Sequence, residues 1–300
     1  MLTRRQIATG LLRSALAGPF RGMFDYWLAP SLRLRVQRWQ ISREDWGAPP
    51  MRIAIISDLH VAWPGPGRRR LEQIVARANA LAPDLTVLLG DFAPALWLTR
   101  RTIPFEDVAN LLSGLQARCG VYAVLGNHDW DDDRAAQERQ SGPNIYSEAL
   151  TEAGVPVLSN AVVDLDGVWL AGLEDQRAFA SGASGFQRRF IGLDDLPGTL
   201  AQIGGAGPAI LLAHEPDIFP DVPDRIALTL SGHTHGGQIR VFGRTPAVPS
   251  RYGSRYAYGH VREGGRDLVV SGGIGCSGLP LRFGVVPEIT VVEISGPSAT

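Results

Sequence analysis

Three hundred residues, 45% of them hydrophobic and 20% charged, suit one large globular domain with a short appendage. A formal net charge of −1 leaves no electrostatic footprint for nucleic acid. Every basic residue is an arginine, Cys119 and Cys276 fit no zinc spacing, and no apolar run reaches the ~18 residues of a conventional transmembrane helix.

The chain opens with Thr3-Arg4-Arg5-Gln6-Ile7, then an apolar stretch from Ala8 to Ala17 that Arg13 interrupts. Ala15-Leu16-Ala17 has the small-x-small form of a cleavage site, so the segment resembles a twin-arginine export signal. The competing readings are an interfacial helix, with Arg4, Arg5, Arg13 and Arg21 at the headgroups and Leu11, Leu12, Leu16, Phe20 and Trp27 in lipid, and an ordinary soluble helix. Residues 1–30 are therefore expected to be an export signal or a membrane-associating segment, with the protein membrane-associated or exported. Residues 31–42 alternate apolar and polar, a half-buried strand pattern, and 45–50 read as a linker. The main domain is expected over 50–296.

That domain begins with the apolar run Ile53-Ala54-Ile55-Ile56, which ends in Ser57-Asp58-Leu59-His60. Helical spacing follows over 68–81, then a strand over 85–89 ending in Gly90-Asp91, a helix over 105–116, and a strand over 121–125 ending in Gly126-Asn127-His128-Asp129. Strand–helix–strand–helix–strand at this spacing predicts two βαβ units and a parallel sheet covered on both faces. Residues 131–146 are polar and read as a solvated loop, and 146–153 as a helix. Strands are expected at 155–158, 161–165 and 168–172, with Asp166-Gly167 as a hairpin turn. Ala178 to Gly185, rich in small residues, reads as a mobile lid. A strand over 209–213 ends in His214, and one over 227–231 ends in Gly232-His233-Thr234-His235-Gly236-Gly237-Gln238. Strands over 268–271 and 289–294 finish the domain, and Gly272-Gly273-Ile274-Gly275 between them reads as tight packing near the site.

Five of the six histidines (His60, His128, His214, His233 and His235) fall at or just after these strand ends, beside Asp58, Asp91 and Asn127. His260 reads as a surface residue, and the cysteines as a buried thiol and a loop thiol. Ligands in open α/β sheets bind at the carboxyl ends of strands, and parallel neighbours lie ~4.8 Å apart. Two carboxylates, an amide and several imidazoles exceed one tetrahedral ion and suit two ions sharing a carboxylate. Nitrogen and oxygen ligation without thiolate points to Mn, Zn, Fe, Ni or Co. Two divalent ions against Asp58 and Asp91 leave positive charge that a hydroxide and a phosphate group would balance.

Asp58-x-His60, Gly90-Asp91, Gly126-Asn127-His128-Asp129, His214 and Gly232-His233-x-His235 resemble, in order, the five motifs of the calcineurin-like metallophosphoesterases. Gly236-Gly237-Gln238, Leu281-Arg282 and Pro287-Glu288 resemble the bacterial branch of membrane-associated or exported phosphodiesterases. The resemblance implies an α/β fold, a four-layer αββα sandwich of two mixed sheets flanked by helices. It implies that Asp58, His60 and His235 hold one divalent ion (Mn, Zn, Fe or Co), that Asn127, His214 and His233 hold a second, and that Asp91 bridges them. It gives His128 the catalytic role, on the phosphate or the leaving oxygen, with a metal-bridged hydroxide attacking in line. Asp129 either orients His128 or caps the next turn. The expected substrate is a small or lipid-linked phosphoester cleaved by a phosphodiesterase or pyrophosphatase, with a membrane surface as partner. The alternatives are a catalytically idle, metal-bound docking module and an exported nucleotidase.

Overall fold

Runs that are apolar at every position become central strands, because only a strand covered on both faces accommodates them. The computed structural model describes residues 33–63, 65–97, 101–181, 189–241 and 244–297. Its strands are β1 (Arg35–Ser42), β2 (Met51–Ile56), β3 (Ala62–Trp63), β4 (Leu85–Leu89), β5 (Arg101–Thr102), β6 (Val121–Val124), β7 (Ala161–Asp164), β8 (Trp169–Gly172), β9 (Phe179–Ser181), β10 (Arg189–Ile191), β11 (Ala209–Leu212), β12 (Ile226–Ser231), β13 (Gly259–Glu263), β14 (Arg266–Val270) and β15 (Glu288–Ser295).

Two mixed sheets carry the architecture. The first runs β1-β15-β2-β4-β6, antiparallel only between β15 and β2. The second runs β13-β14-β12-β11-β8-β7, parallel from β14 to β8 with an antiparallel strand at each edge. Side chains alternate between the faces of a strand. Ile53, Ile55, Leu85 and Val87 of the first sheet thus share one cluster with Leu170, Ile210, Leu212 and Leu228 of the second. On the outer face of the first sheet, Leu88 and Ala123 meet Leu71 and Ile74 of the helix Arg68–Asn79 and Val108 and Leu112 of the helix Phe105–Leu112. On the outer face of the second, Ala209 and Leu211 meet Leu196 of the short helix Leu196–Leu200 and Ile218 of a 3-10 turn. Helix, sheet, sheet and helix make the four layers that the motifs imply.

Several local expectations change. The strand read over 31–42 is β1, and it pairs with β15 along its whole length. The residues read as a linker bury Trp46 completely in the inter-sheet cluster, with its Nε1 donating to Pro49 O at 2.9 Å. That segment is packed against the domain because its tryptophan has more apolar surface to hide than a spacer could leave in water. The polar stretch after residue 130 is ordered into the helices Asn127–Asp132 and Arg134–Arg139, not a solvated loop. Its organiser is buried Asp133, whose carboxylate accepts from Ala136 N and Ile145 N, both at 3.0 Å. Residues 155–158 contribute only a bridge between Val157 and Ala123. The expected turn does join antiparallel β7 and β8, with Asp166 at φ 55° and Gly167 at φ 93°. Within the stretch read as a lid, β9 pairs with β10; residues 182–188 lie outside the described residues. His260 is half-buried on β13, its Nε2 2.6 Å from Asp267 Oδ1. Both cysteines are free thiols, Cys276 buried and Cys119 half-buried.

The export or membrane reading of residues 1–30 falls outside the described residues. Among the described residues no helix is long and apolar enough to cross a membrane.

Trp46→Ala is expected to lower unfolding free energy by about 3–5 kcal/mol in a urea titration. Trp97→Ala, at a side chain 79% exposed, should stay within about 0.5 kcal/mol of the parent.

Candidate metal centre

Every candidate residue sits where a parallel strand stops. Asp58 and His60 follow β2, Asp91 follows β4, Asn127 and His128 follow β6, His214 follows β11, and His233 and His235 follow β12. The chain must turn sharply there to aim side chains across the gap between the sheets. Asp58, His60, Asp91, His233 and His235 all take positive φ, between 43° and 66°. Left-handed backbone costs a non-glycine residue roughly 1 kcal/mol or more, and such strain clusters where side chains must be aimed. Glycines admit the close approach. A Cβ on Gly126 would collide with Asp91 Oδ1 and stand 2.7 Å from His214 Cε1. One on Gly273 would lie 2.8 Å from the Asp58 side chain, as the glycine-rich stretch suggested.

The turns deliver two overlapping groups of donors. Asp58, His60, Asp91 and His235 each place one donor atom within 4.8 Å of the others, and so do Asp91, His214 and His233. Asp91 belongs to both. Its Oδ2 lies 3.2 Å from His214 Nε2 and 3.5 Å from His60 Nε2. Asn127 and His128 line the same pocket, a cavity of about 310 Å³, together with Asp91. The His128 backbone N–H donates to Asp91 Oδ1 at 2.9 Å, and its ring stands edge-on to His60 at 5.1 Å.

Hydrogen bonds on the outer nitrogens fix which ring atom faces inward. His60 Nδ1 donates to Ala93 O at 2.8 Å and His214 Nδ1 to Leu89 O at 2.6 Å, turning each Nε2 toward Asp91. His233 Nε2 donates to Pro249 O at 2.9 Å, so its Nδ1 faces the centre. The inward nitrogens then crowd one another: His60 Nε2 and His235 Nε2 are 3.1 Å apart, and His233 Nδ1 and His214 Nε2 3.2 Å. Nitrogens held at ~2.1 Å from one cation, roughly at right angles, stand about 3 Å apart. Asp58 Oδ2 and Asn127 Oδ1 are buried with no hydrogen-bond partner. An orphaned buried oxygen is costly unless it has a cation to face. Burial holds the His60 imidazole down at about 4 and those of His233 and His235 well below their ordinary value, so all three present neutral donors. Burial opposes the charge on Asp91, yet the imidazoles of His214 and His128 hold its carboxyl well below the usual range. The donor set fits divalent cations.

Asp129 does neither of the things expected of it alone. Its carboxylate caps its own helix, Asn127–Asp132, through Gly126 N at 2.9 Å, and it also accepts from Asp91 N at 2.9 Å and from Phe92 N and Ala93 N at 2.8 Å. It thereby ties the exits of β4 and β6 together. Asp175 and Glu215, both buried, lie within 4.8 Å of His214 as a third cluster that residue patterns did not single out. Arg282 is fully buried, donates to Gly275 O at 2.7 Å and Gly272 O at 2.6 Å, and brings Nη2 to 3.0 Å from His235 Nδ1. Its only signal in the sequence is its place in the Leu281-Arg282 motif. Arg177, with Nη1 3.2 Å from His233 Nε2, carried none.

Asp129→Ala would strand four buried backbone N–H groups and is expected to cost on the order of 4 kcal/mol of stability in chemical denaturation. Asp129→Asn, which keeps one acceptor oxygen, should lose less.

Comparison with known proteins agrees with this geometry. The family model described as calcineurin-like phosphoesterase matches residues 51–237. An uncharacterized metallophosphoesterase, YkuE of Bacillus subtilis, is 31% identical over 232 residues, covering 75% of this chain and 72% of the relative. Phosphodiesterase YaeI of Escherichia coli is 28% identical over 262 residues, 82% of this chain and 83% of its own length. A transmembrane protein with metallophosphoesterase domain from Danio rerio is 30% identical over 256 residues, 81% of this chain, and the chain spans only 53% of that relative. The matched stretch opens at β2 and closes on the Gly232–Gly237 turn, so it takes in every strand exit that bears a candidate residue; the chain belongs to the calcineurin-like phosphoesterases and is a metallophosphoesterase.

Proposed function

We propose that the chain is a phosphodiesterase or pyrophosphatase acting on a small or lipid-linked phosphate with two divalent ions, drawn from Mn, Zn, Fe and Co. The observation that carries this reading is the pair of donor groups that share Asp91. In it, Asp58, His60 and His235 hold one ion, Asn127, His214 and His233 hold the other, and Asp91 serves both. Such ions, when bound, make water a nucleophile at neutral pH and offset charge on the phosphoryl oxygens. His128 has no assigned ligand role, is half-buried, and opens onto the pocket, which suits it to donate to the phosphoryl group or to the leaving oxygen. Asp91 fixes its backbone, so the ring enters from a determined side.

The diester reading draws support from the relative named Phosphodiesterase YaeI. The lipid-linked reading draws support from Trp97, which is 79% exposed. Its backbone N–H donates to Gly278 O at 3.0 Å, next to pocket-lining Ser277. An exposed indole beside a polar pocket suits a membrane interface.

Mn-loaded protein should hydrolyse bis-p-nitrophenyl phosphate. His128→Ala should lower kcat roughly 10²–10⁴-fold with metal content unchanged. Asp91→Ala should lose metal as well as activity, measured by elemental analysis after gel filtration. Metal-loaded protein that leaves every phosphoester intact, with and without lipid vesicles, would refute the proposal.

A further inference from the structure

One cation in the pocket is left over once the donor cluster is accounted for. Among the described residues lining it, Arg177 is the only arginine. Its guanidinium carbon lies 4.1 Å from the centroid of the Phe190 ring, a cation–π contact. Its Nε is buried with no hydrogen-bond partner. Nη1 approaches His233 Nε2 at 3.2 Å, but that nitrogen spends its hydrogen on Pro249 O, and two donors make no bond. The backbone below is fixed: Arg177 N donates to Asp175 Oδ1 at 2.6 Å and Gln176 N to Glu215 Oε2 at 3.2 Å. The buried carboxylates behind His214 thus anchor the backbone of a half-buried arginine whose Nε has no partner at the pocket wall. An arginine in that state is built to receive an anion.

Its position says which anion. Nη1 contacts the face of His233 turned away from the donor cluster. Imidazole width and the two contacts place it on the order of 7 Å from a cation held on Nδ1. An oxygen shared between cation and guanidinium spans only ~5 Å. Arg177 therefore addresses different oxygens from those the cations would hold. The pocket also continues past it. Arg177, Phe190 and Pro249 line a second cavity of about 270 Å³ that reaches Gln176, Ser250 and Arg251. The carboxylate there, Asp217, is already engaged, accepting from Ser250 Oγ and from Arg251 N at 2.9 Å. Asp217 also has its own counter-charge, Arg251, whose Nε lies 3.9 Å from Oδ2.

Resting on the phosphohydrolase reading above, we infer that Arg177 binds a second phosphoryl group, so that the preferred substrate is a diphosphate esterified at both ends. In its hydrolysis water forms one new P–O bond, the bridging P–O bond breaks with its electron pair on the departing phosphoryl group, and the two products are monoesters. Arg177 grips the phosphoryl that is not attacked, and the second cavity takes the group esterified to it.

The test compares dibenzyl diphosphate with dibenzyl phosphate, which differ by one phosphoryl, on the Mn-loaded full chain. Arg177→Met should lower the ratio of the two kcat/KM values at least tenfold, mainly through KM, and Arg177→Lys, which keeps the charge without the planar fork of donors, should fall between. In calorimetry, Arg177→Met should weaken imidodiphosphate binding at least tenfold more than inorganic phosphate binding. An unchanged ratio, whether both activities fall or neither does, overturns the assignment, as does equal weakening of both anions. Parent protein that cleaves neither ester would defeat the phosphohydrolase reading, while the calorimetric comparison would still decide the role of Arg177.

Discussion

A carboxylate shut away from water must be answered by positive charge or by hydrogen-bond donors, and the arrangement of Asp91 satisfies that demand from every side. Its backbone is fixed by Asp129, one oxygen accepts from the amide of His128, and the other lies between His214 Nε2 and His60 Nε2, with His214 supplying positive charge. No such knot forms within one segment. It needs β2, β4 and β6 from one sheet and β11 and β12 from the other to end at the same rim, and the inter-sheet packing makes them do so. The apolar layer between the sheets is thus the rigid frame that keeps seven polar side chains crowded in a place where water would otherwise separate them.

Most of this centre was legible because its parts obey a local rule. Each candidate stands directly after a run such as Ile53–Ile56 or Ala209–Leu212, and a parallel strand can end only where its sheet ends. The strand pattern therefore located Asp58, His60, Asp91, Asn127, His214, His233 and His235 on one edge before their distances were known. The four layers were implied by the resemblance that the motifs carry, and the strand count agreed with it.

What stayed hidden depends on partners far along the chain. Trp46 lies in a short stretch with Gly47, Pro49 and Pro50, the composition of a spacer, and only the cavity between the sheets reveals it as core. Asp133 sits in an acidic run that reads as solvated, and its worth lies in amides at Ala136 and Ile145. Arg282 is fixed by carbonyls of the glycine-rich turn, and a carbonyl leaves no mark in a sequence. Asp129 invited a choice between two neighbours, whereas its carboxylate reaches back to the loop after β4.

The parallel pairing of β1 with β15 has a directional consequence. Because β15 is antiparallel to β2, its first residue, Glu288, lies at the end where β2 delivers Asp58, and its N–H reaches Gly273 O. Arg35, the first residue of β1, sits beside that same carboxylate. Residues 33–35 therefore meet the domain at the rim that bears the donor cluster, so a change at this N-terminal edge would be felt there and not at the opposite pole.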